Sequence, residues 1–192
     1  MNNLEVGLRQ MVGDLDRQNL DYALVGGLAV SIRAEPRLTR DVDVAVSVRN
    51  DPEAEAAVLQ MREAGYLPAA VIEHDVTGRL GSARLNHPDR PEVVLDMLFA
   101  SCGIEPEIVE MADSIEALPD LVLPVARTGH LIAMKLLASD ARQRPNDYDD
   151  LLALANIADA EDMSLASGAV DLITERGYNR GRDLQKALAE LA

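Results

Sequence analysis

Two aspartates one residue apart, Asp41 and Asp43, sit inside the run Arg37-Leu38-Thr39-Arg40-Asp41-Val42-Asp43-Val44-Ala45-Val46. The residues around them read as a β-strand, in which side chains at i and i+2 point to the same side. Asp41 and Asp43 then stand side by side, while Val42, Val44, Val46 and Val48 turn into a core. Two adjacent carboxylates repel each other, and a cation between them removes that cost. Mg²⁺ takes oxygen ligands and often keeps a substrate phosphate among them, so the pair reads as a metal edge. The competing reading is an edge strand with a solvated polar face.

The segments around the pair sharpen this. Asp21-Tyr22-Ala23-Leu24-Val25 is a short apolar strand that ends in Gly26-Gly27, and Leu28 to Arg33 has helical composition. A strand passing through glycines into a helix is an anion site: the backbone can approach closely, and the N–H groups of the helix terminus point at phosphate. A third carboxylate comes from a predicted hairpin whose turn is His87-Pro88-Asp89-Arg90-Pro91. Asp96 is the one charge in the apolar run Val93 to Phe99, and a carboxylate inside a buried strand needs a partner. That partner is either Arg84 across the hairpin or a metal, and the Asp pair upstream favours the metal. In the second case Asp96 is also a candidate base for the attacking hydroxyl.

Gly26-Gly27, Arg37-x-Thr39-x-Asp41-x-Asp43 and the later strand residue Asp96 resemble the nucleotidyltransferase superfamily with the DNA polymerase beta fold. Within it the chain is most similar to AbiEii-like and MenT-like nucleotidyltransferases, many of them toxins of toxin–antitoxin pairs. The helix Gly129 to Ala138 with Lys135, and the segment Arg144-Pro145-Asn146-Asp147-Tyr148-Asp149-Asp150-Leu151, resemble the later motifs of that family. The likeness covers roughly residues 20 to 155. One departure is the turn, where the family usually has Gly-Ser and this chain has Gly26-Gly27. A phosphate-touching hydroxyl is lost, but the backbone donors remain.

The resemblance implies an α/β or α+β nucleotidyltransferase core with a mixed sheet, at 1–120, followed by a C-terminal helical domain, at 121–192. It implies Asp41, Asp43 and Asp96 as ligands of two Mg²⁺ ions, with NTP as substrate. It also implies phosphate binding by Gly26, Gly27, Arg37, Thr39 and Lys135, and a catalytic or orienting part for Lys135 and Asp147. For Lys135 the residues alone allow a snorkelling lysine at the core edge instead. Asp147 and Asp150 open a helix, where acids are favoured by the macrodipole in any case. The roles of these two are not separable from sequence.

Periodicity predicts helices over Asn2–Gln18, Glu53–Glu63, Thr128–Ser139, Asp147–Ala158, Asp162–Arg176 and Arg180–Ala192. It predicts strands over Asp41–Val48, Tyr66–Glu73, Arg79–Asn86 and Glu92–Phe99, and a looser stretch punctuated by Pro106, Pro119 and Pro124. The N-terminus lacks the basic and apolar regions of a signal peptide, and no apolar run reaches membrane-spanning length. A single cysteine, Cys102, fits a reducing, cytoplasmic setting and reads as a small buried hydrophobe. His74, His87 and His130 show no zinc-ligand spacing.

A net charge of −15 opposes general nucleic-acid binding, so an RNA acceptor would need a local basic face. Arg33, Arg37, Arg40, Arg142, Arg144, Arg176, Arg180 and Arg182 are the candidates, unless neighbouring acids neutralise them. Aromatic residues make up 3% of the chain, which leaves few stacking platforms. The expected activity is Mg²⁺-dependent transfer of an NMP from NTP to an acceptor hydroxyl, with release of pyrophosphate. The acceptor is a tRNA end, a protein or a small cationic molecule, and a cognate antitoxin is an expected partner. The alternative is a catalytically silent nucleotidyltransferase-fold protein that binds a basic partner in an antitoxin-like way.

Overall fold

The computed structural model describes residues 3–36, 39, 41–138 and 145–191. Helix α1 (Asn3–Arg17) turns Leu8, Met11, Val12 and Leu15 inward, the stripe its periodicity predicts. Strand β1 (Tyr22–Val25) is buried along its whole length and passes directly into α2 (Gly26–Arg33). Gly26 and Gly27 therefore begin a helix, where the sequence suggested a turn ahead of one. Strand β2 (Asp41–Val46) follows, with Val42, Val44 and Val46 fully buried. Helix α3 (Asp51–Glu63) opens on Asn50, whose side chain accepts the Glu53 N–H at 3.0 Å, with Pro52 in the first turn.

Strands β3 (Leu67–Glu73), β4 (Leu80–His87) and β5 (Arg90–Leu98) form an antiparallel meander. The stretch expected to be loose holds three elements instead: α4 (Glu105–Glu110), β6 (Asp113–Leu118) and β7 (Leu121–Val125). Its prolines misled because each sits where a backbone donor is dispensable. Pro106 lies in the first turn of α4, and Pro119 in the turn between β6 and β7. Pro124 lies on β7 just before Val125, the residue that pairs with Leu24 of β1. Glu105, fully buried at the start of α4, accepts the backbone N–H groups of Ser101, Cys102 and Gly103.

Helices α5 (Thr128–Ala138), α6 (Pro145–Ile157), α7 (Ala160–Glu175) and α8 (Leu184–Ala189) complete the chain. The last is shorter than expected, because Arg180 and Gly181 take positive φ and Asp183 then caps a new start. α5 packs against α6, α7 and α8, and α2 reaches α5 and α6 as well as β1 and β2. At Gly129 a Cβ would lie 2.4 Å from the Asp162 carbonyl oxygen, so α5 and α7 approach backbone to backbone there.

The strand order is β3-β4-β5-β2-β1-β7-β6, with β2 in the middle of seven strands. β2 runs parallel to β5 and antiparallel to β1, and β1 runs parallel to β7. Of the two expected classes, α/β and α+β, the architecture is α+β: a mixed sheet up to Val125, then helices from Thr128 onward. A central β2 excludes the edge-strand reading of Asp41 and Asp43. No described helix is long and apolar enough to cross a membrane.

Candidate active site

Register brings the acidic residues together. Asp43 on β2 lies opposite Val25 on β1 and opposite Asp96 on β5, and Asp96 lies opposite Arg84 on β4. Directly opposed residues share a face of the sheet, and so do residues two apart on one strand. Asp41, Asp43, Asp96 and Arg84 therefore occupy one face at the middle of the sheet. Burial, then the charges of Asp96 and Asp41, push the Asp43 carboxyl up from 3.8 to about 6; Lys135 and Arg84 oppose the shift.

Arg84 gives Asp96 the cross-hairpin partner read from sequence. Its Nε and Nη2 donate to the two carboxylate oxygens at 2.9 and 2.6 Å. The same Nη2 lies 3.5 Å from Asp41 Oδ2. Among the described residues no group of three acids, histidines or cysteines converges as a ready-made metal cluster. The donor set still suits a divalent ion. Three carboxylates crowd one face, and Asp43 resists ionising beside its neighbours, a strain that a hard cation relieves.

Above this row lies the first turn of α2. Gly26 takes φ +64°, and a Cβ there would fall 2.0 Å from Asp43 Oδ2. Glycine is required twice over, by the left-handed backbone and by the closeness of Asp43. The N-cap residue is Val25, whose side chain caps nothing. The first N–H groups of α2 thus receive no cap from that side chain and lie beside the carboxylates, a geometry suited to phosphate.

Lys135 reaches the site from α5. It does not snorkel: its side chain is 9% exposed, and Nζ lies 2.6 Å from Asp147 Oδ1 and 2.7 Å from Asp150 Oδ2. Asp147 and Asp150 are three apart on α6, so they share a helix face and hold the ammonium between them. Asp150 is the more buried of the two. The sequence reading weighed it without choosing it, and the i, i+3 spacing was the available signal. Arg84 was likewise read only as an ion-pair partner.

The remaining expected residues fare unevenly. The Thr39 hydroxyl donates to the Asp41 carbonyl at 3.3 Å, which ties it to the start of β2. Arg37, Arg40, Arg142 and Arg144 lie outside the described residues. Arg33 donates to Val125 and Ala126 carbonyls and pairs with Asp113. Arg176 pairs with Glu107, and Arg182 donates to the Leu136 and Leu137 carbonyls at the end of α5. Arg33 and Arg176 are thus paired with acids, as expected for neutralised arginines, whereas Arg182 is held by helix-end carbonyls. Cys102 is buried beside Glu105, and burial pushes its thiol well up, which suits an inert side chain.

A glycine-led helix over a row of strand carboxylates, on a mixed sheet with a helical C-terminal part, defines a nucleotidyltransferase of the polymerase beta type. The chain belongs to the family described as nucleotidyl transferase AbiEii toxin, type IV toxin–antitoxin system, which matches residues 9–192. Solved structures agree in fold. An antigenic nucleotidyltransferase-like protein from Paracoccidioides brasiliensis is 16% identical, with 97% of this chain and 92% of that one covered and a TM-score of 0.55. The antibiotic-resistance factor ANT(2'')-Ia is 16% identical over 99% of this chain and 100% of that one, with a TM-score of 0.54. The lincosamide antibiotic adenylyltransferase LnuA is 16% identical over 79% of this chain and 96% of that one, with a TM-score of 0.51. No curated protein sequence matches the chain.

Two outcomes follow from the geometry. Because folding raises the Asp43 pKa, the folded state binds the proton more tightly than the unfolded one. The resulting cost is absent below about 3.8, grows as pH rises and is complete above about 6. Asp43→Asn should therefore stabilise the metal-free protein at pH 8 by on the order of 1–3 kcal/mol in urea unfolding, with the gain shrinking toward pH 4. A variant no more stable than wild type at pH 8 contradicts the repulsive row. Gly26→Ala should lose about 1–3 kcal/mol from the φ requirement alone and displace Asp43; unchanged stability rules out the close approach.

Proposed function

We propose that the chain transfers a nucleoside monophosphate from NTP to an acceptor hydroxyl and releases pyrophosphate. What carries this reading is the juxtaposition of a glycine-led helix, whose N-cap residue Val25 supplies no side-chain cap, with a strained carboxylate row. The backbone N–H groups at Gly26 and Gly27 would hold triphosphate oxygens, aided by the α2 dipole. Asp41, Asp43 and Asp96 are the residues to hold Mg²⁺, with two ions in the full site. Bound there, Mg²⁺ would neutralise charge on the phosphates and on the departing pyrophosphate.

The remaining roles belong to the chain itself. Asp96, oriented by Arg84, would help take the acceptor proton as the acceptor oxygen bonds to the α-phosphorus and the bond to the β-phosphate oxygen breaks. Lys135 would place a positive charge beside the nucleotide phosphates, shared with Asp147 and Asp150. Arg37 and Thr39, just before β2, are proposed to line the phosphate side. A core over 1–120 and a helical domain over 121–192 would form the two walls of the cleft, with β7 carrying the sheet across the border.

The family description supports a toxin role and a cognate antitoxin as partner. The net charge of −15 suits a basic protein or small cationic acceptor; a tRNA end would rely on the arginines outside the described residues. A cytoplasmic setting, where NTP is abundant, is part of this proposal. A silent, antitoxin-like binder would have no use for a carboxylate row that costs stability.

The test is transfer of label from each α-³²P NTP to tRNA, to cell protein and to small cationic antibiotics, with growth followed on expression in a bacterial host. Wild type should label one acceptor class and slow growth. Asp41→Asn should lower labelling about 10³-fold, the size expected when several kcal/mol of charge stabilisation is lost, and should restore growth. Labelling by the variant at the wild-type rate would falsify the site assignment.

A further inference from the structure

Arg84 touches two of the three carboxylates assigned to the metal, and the two contacts are unequal. The fork on Asp96 is short and doubly bonded, at 2.9 and 2.6 Å, whereas the approach to Asp41 is 3.5 Å. The strands fix where the side chain starts: Arg84 is the cross-strand partner of Asp96, so it rises from the backbone directly beside the row. The side chain is 48% exposed, so it can swing outward without opening the core. A guanidinium and a divalent cation both seek carboxylate lone pairs, and Arg84 already supplies positive charge to the site. A fork also fixes the plane of a carboxylate, which an ammonium does not.

We propose that Arg84 is a positioning residue and built-in counter-cation of the carboxylate row: its fork orients Asp96, while its contact with Asp41 competes with the metal and is surrendered when metal and nucleotide enter. The proposal rests on the metal-binding reading given above. Its consequence is that Arg84 opposes metal binding in the resting protein and supports turnover in the loaded one. A merely structural arginine would do neither.

The experiment measures Mn²⁺ binding by calorimetry to the full chain without nucleotide, in wild type, Arg84→Met and Arg84→Lys, with kcat and KM from the labelling assay at saturating metal. Circular dichroism and thermal melts establish that each variant is folded, and Arg84→Gln stands in should Arg84→Met fail to fold. Arg84→Met should bind Mn²⁺ about tenfold tighter, the size of one removed neighbouring charge at a half-exposed site, and yet show a lower kcat. Arg84→Lys, which keeps the charge but not the fork, should stay near wild type in Mn²⁺ affinity while sharing the loss of kcat. Wild-type affinity or weaker in Arg84→Met overturns the proposal and leaves the metal site standing. Absence of Mn²⁺ binding in both wild type and Arg84→Met overturns the metal site, and this proposal with it.

Discussion

A carboxylate buried beside two others at the centre of the sheet is the constraint around which this fold is arranged. Asp43 and Asp96 face each other on adjacent parallel strands, with Asp41 two residues from Asp43 on the same face. In an ordinary core such a row would be replaced by apolar residues, because carboxylates that repel one another cost stability. Here the cost is shared among several surrounding groups. Arg84 neutralises from one side, Lys135 from α5 lowers the Asp43 pKa, and Gly26 yields the space that Asp43 occupies. A row that strains the resting protein, and that a bound cation would relieve, is what the proposed function asks of it.

The same constraint explains why the sheet and the helical part are joined as they are. Lys135 is buried, and a buried ammonium needs partners. Asp147 and Asp150 provide them, one turn apart on α6. α2 contacts β1, β2, α5 and α6, so the helix that presents Gly26 and Gly27 also packs against the helices carrying Lys135 and its acids. Displacing any of these helices would alter the charge balance around Asp43.

Much of this was legible in the residues. Alternation of Val42, Val44 and Val46 with the aspartates shows which face β2 buries. The lone charge of Asp96 in an apolar run demands a partner, of which Arg84, the less favoured of two candidates, supplies a fork. Asn50 and Pro52 marked the start of α3. What escaped had physical causes. Pro106, Pro119 and Pro124 sit at positions needing no N–H, so breaker residues concealed α4, β6 and β7. The Gly26-Gly27 pair reads as a turn in sequence, and Gly26 does take a positive φ, although the helix begins at that residue. The burial of Lys135 depends on α6 folding back against α5, a long-range contact that local periodicity does not encode.

Calorimetric titration of each of the four NTPs, with and without Mg²⁺, into wild type and the Asp41→Asn/Asp43→Asn double variant tests the central claim most directly. A nucleotide site built on the carboxylate row should give Mg²⁺-dependent binding of at least one NTP in wild type and none in the double variant. Failure of every NTP to bind, or equal binding by both proteins, would contradict it.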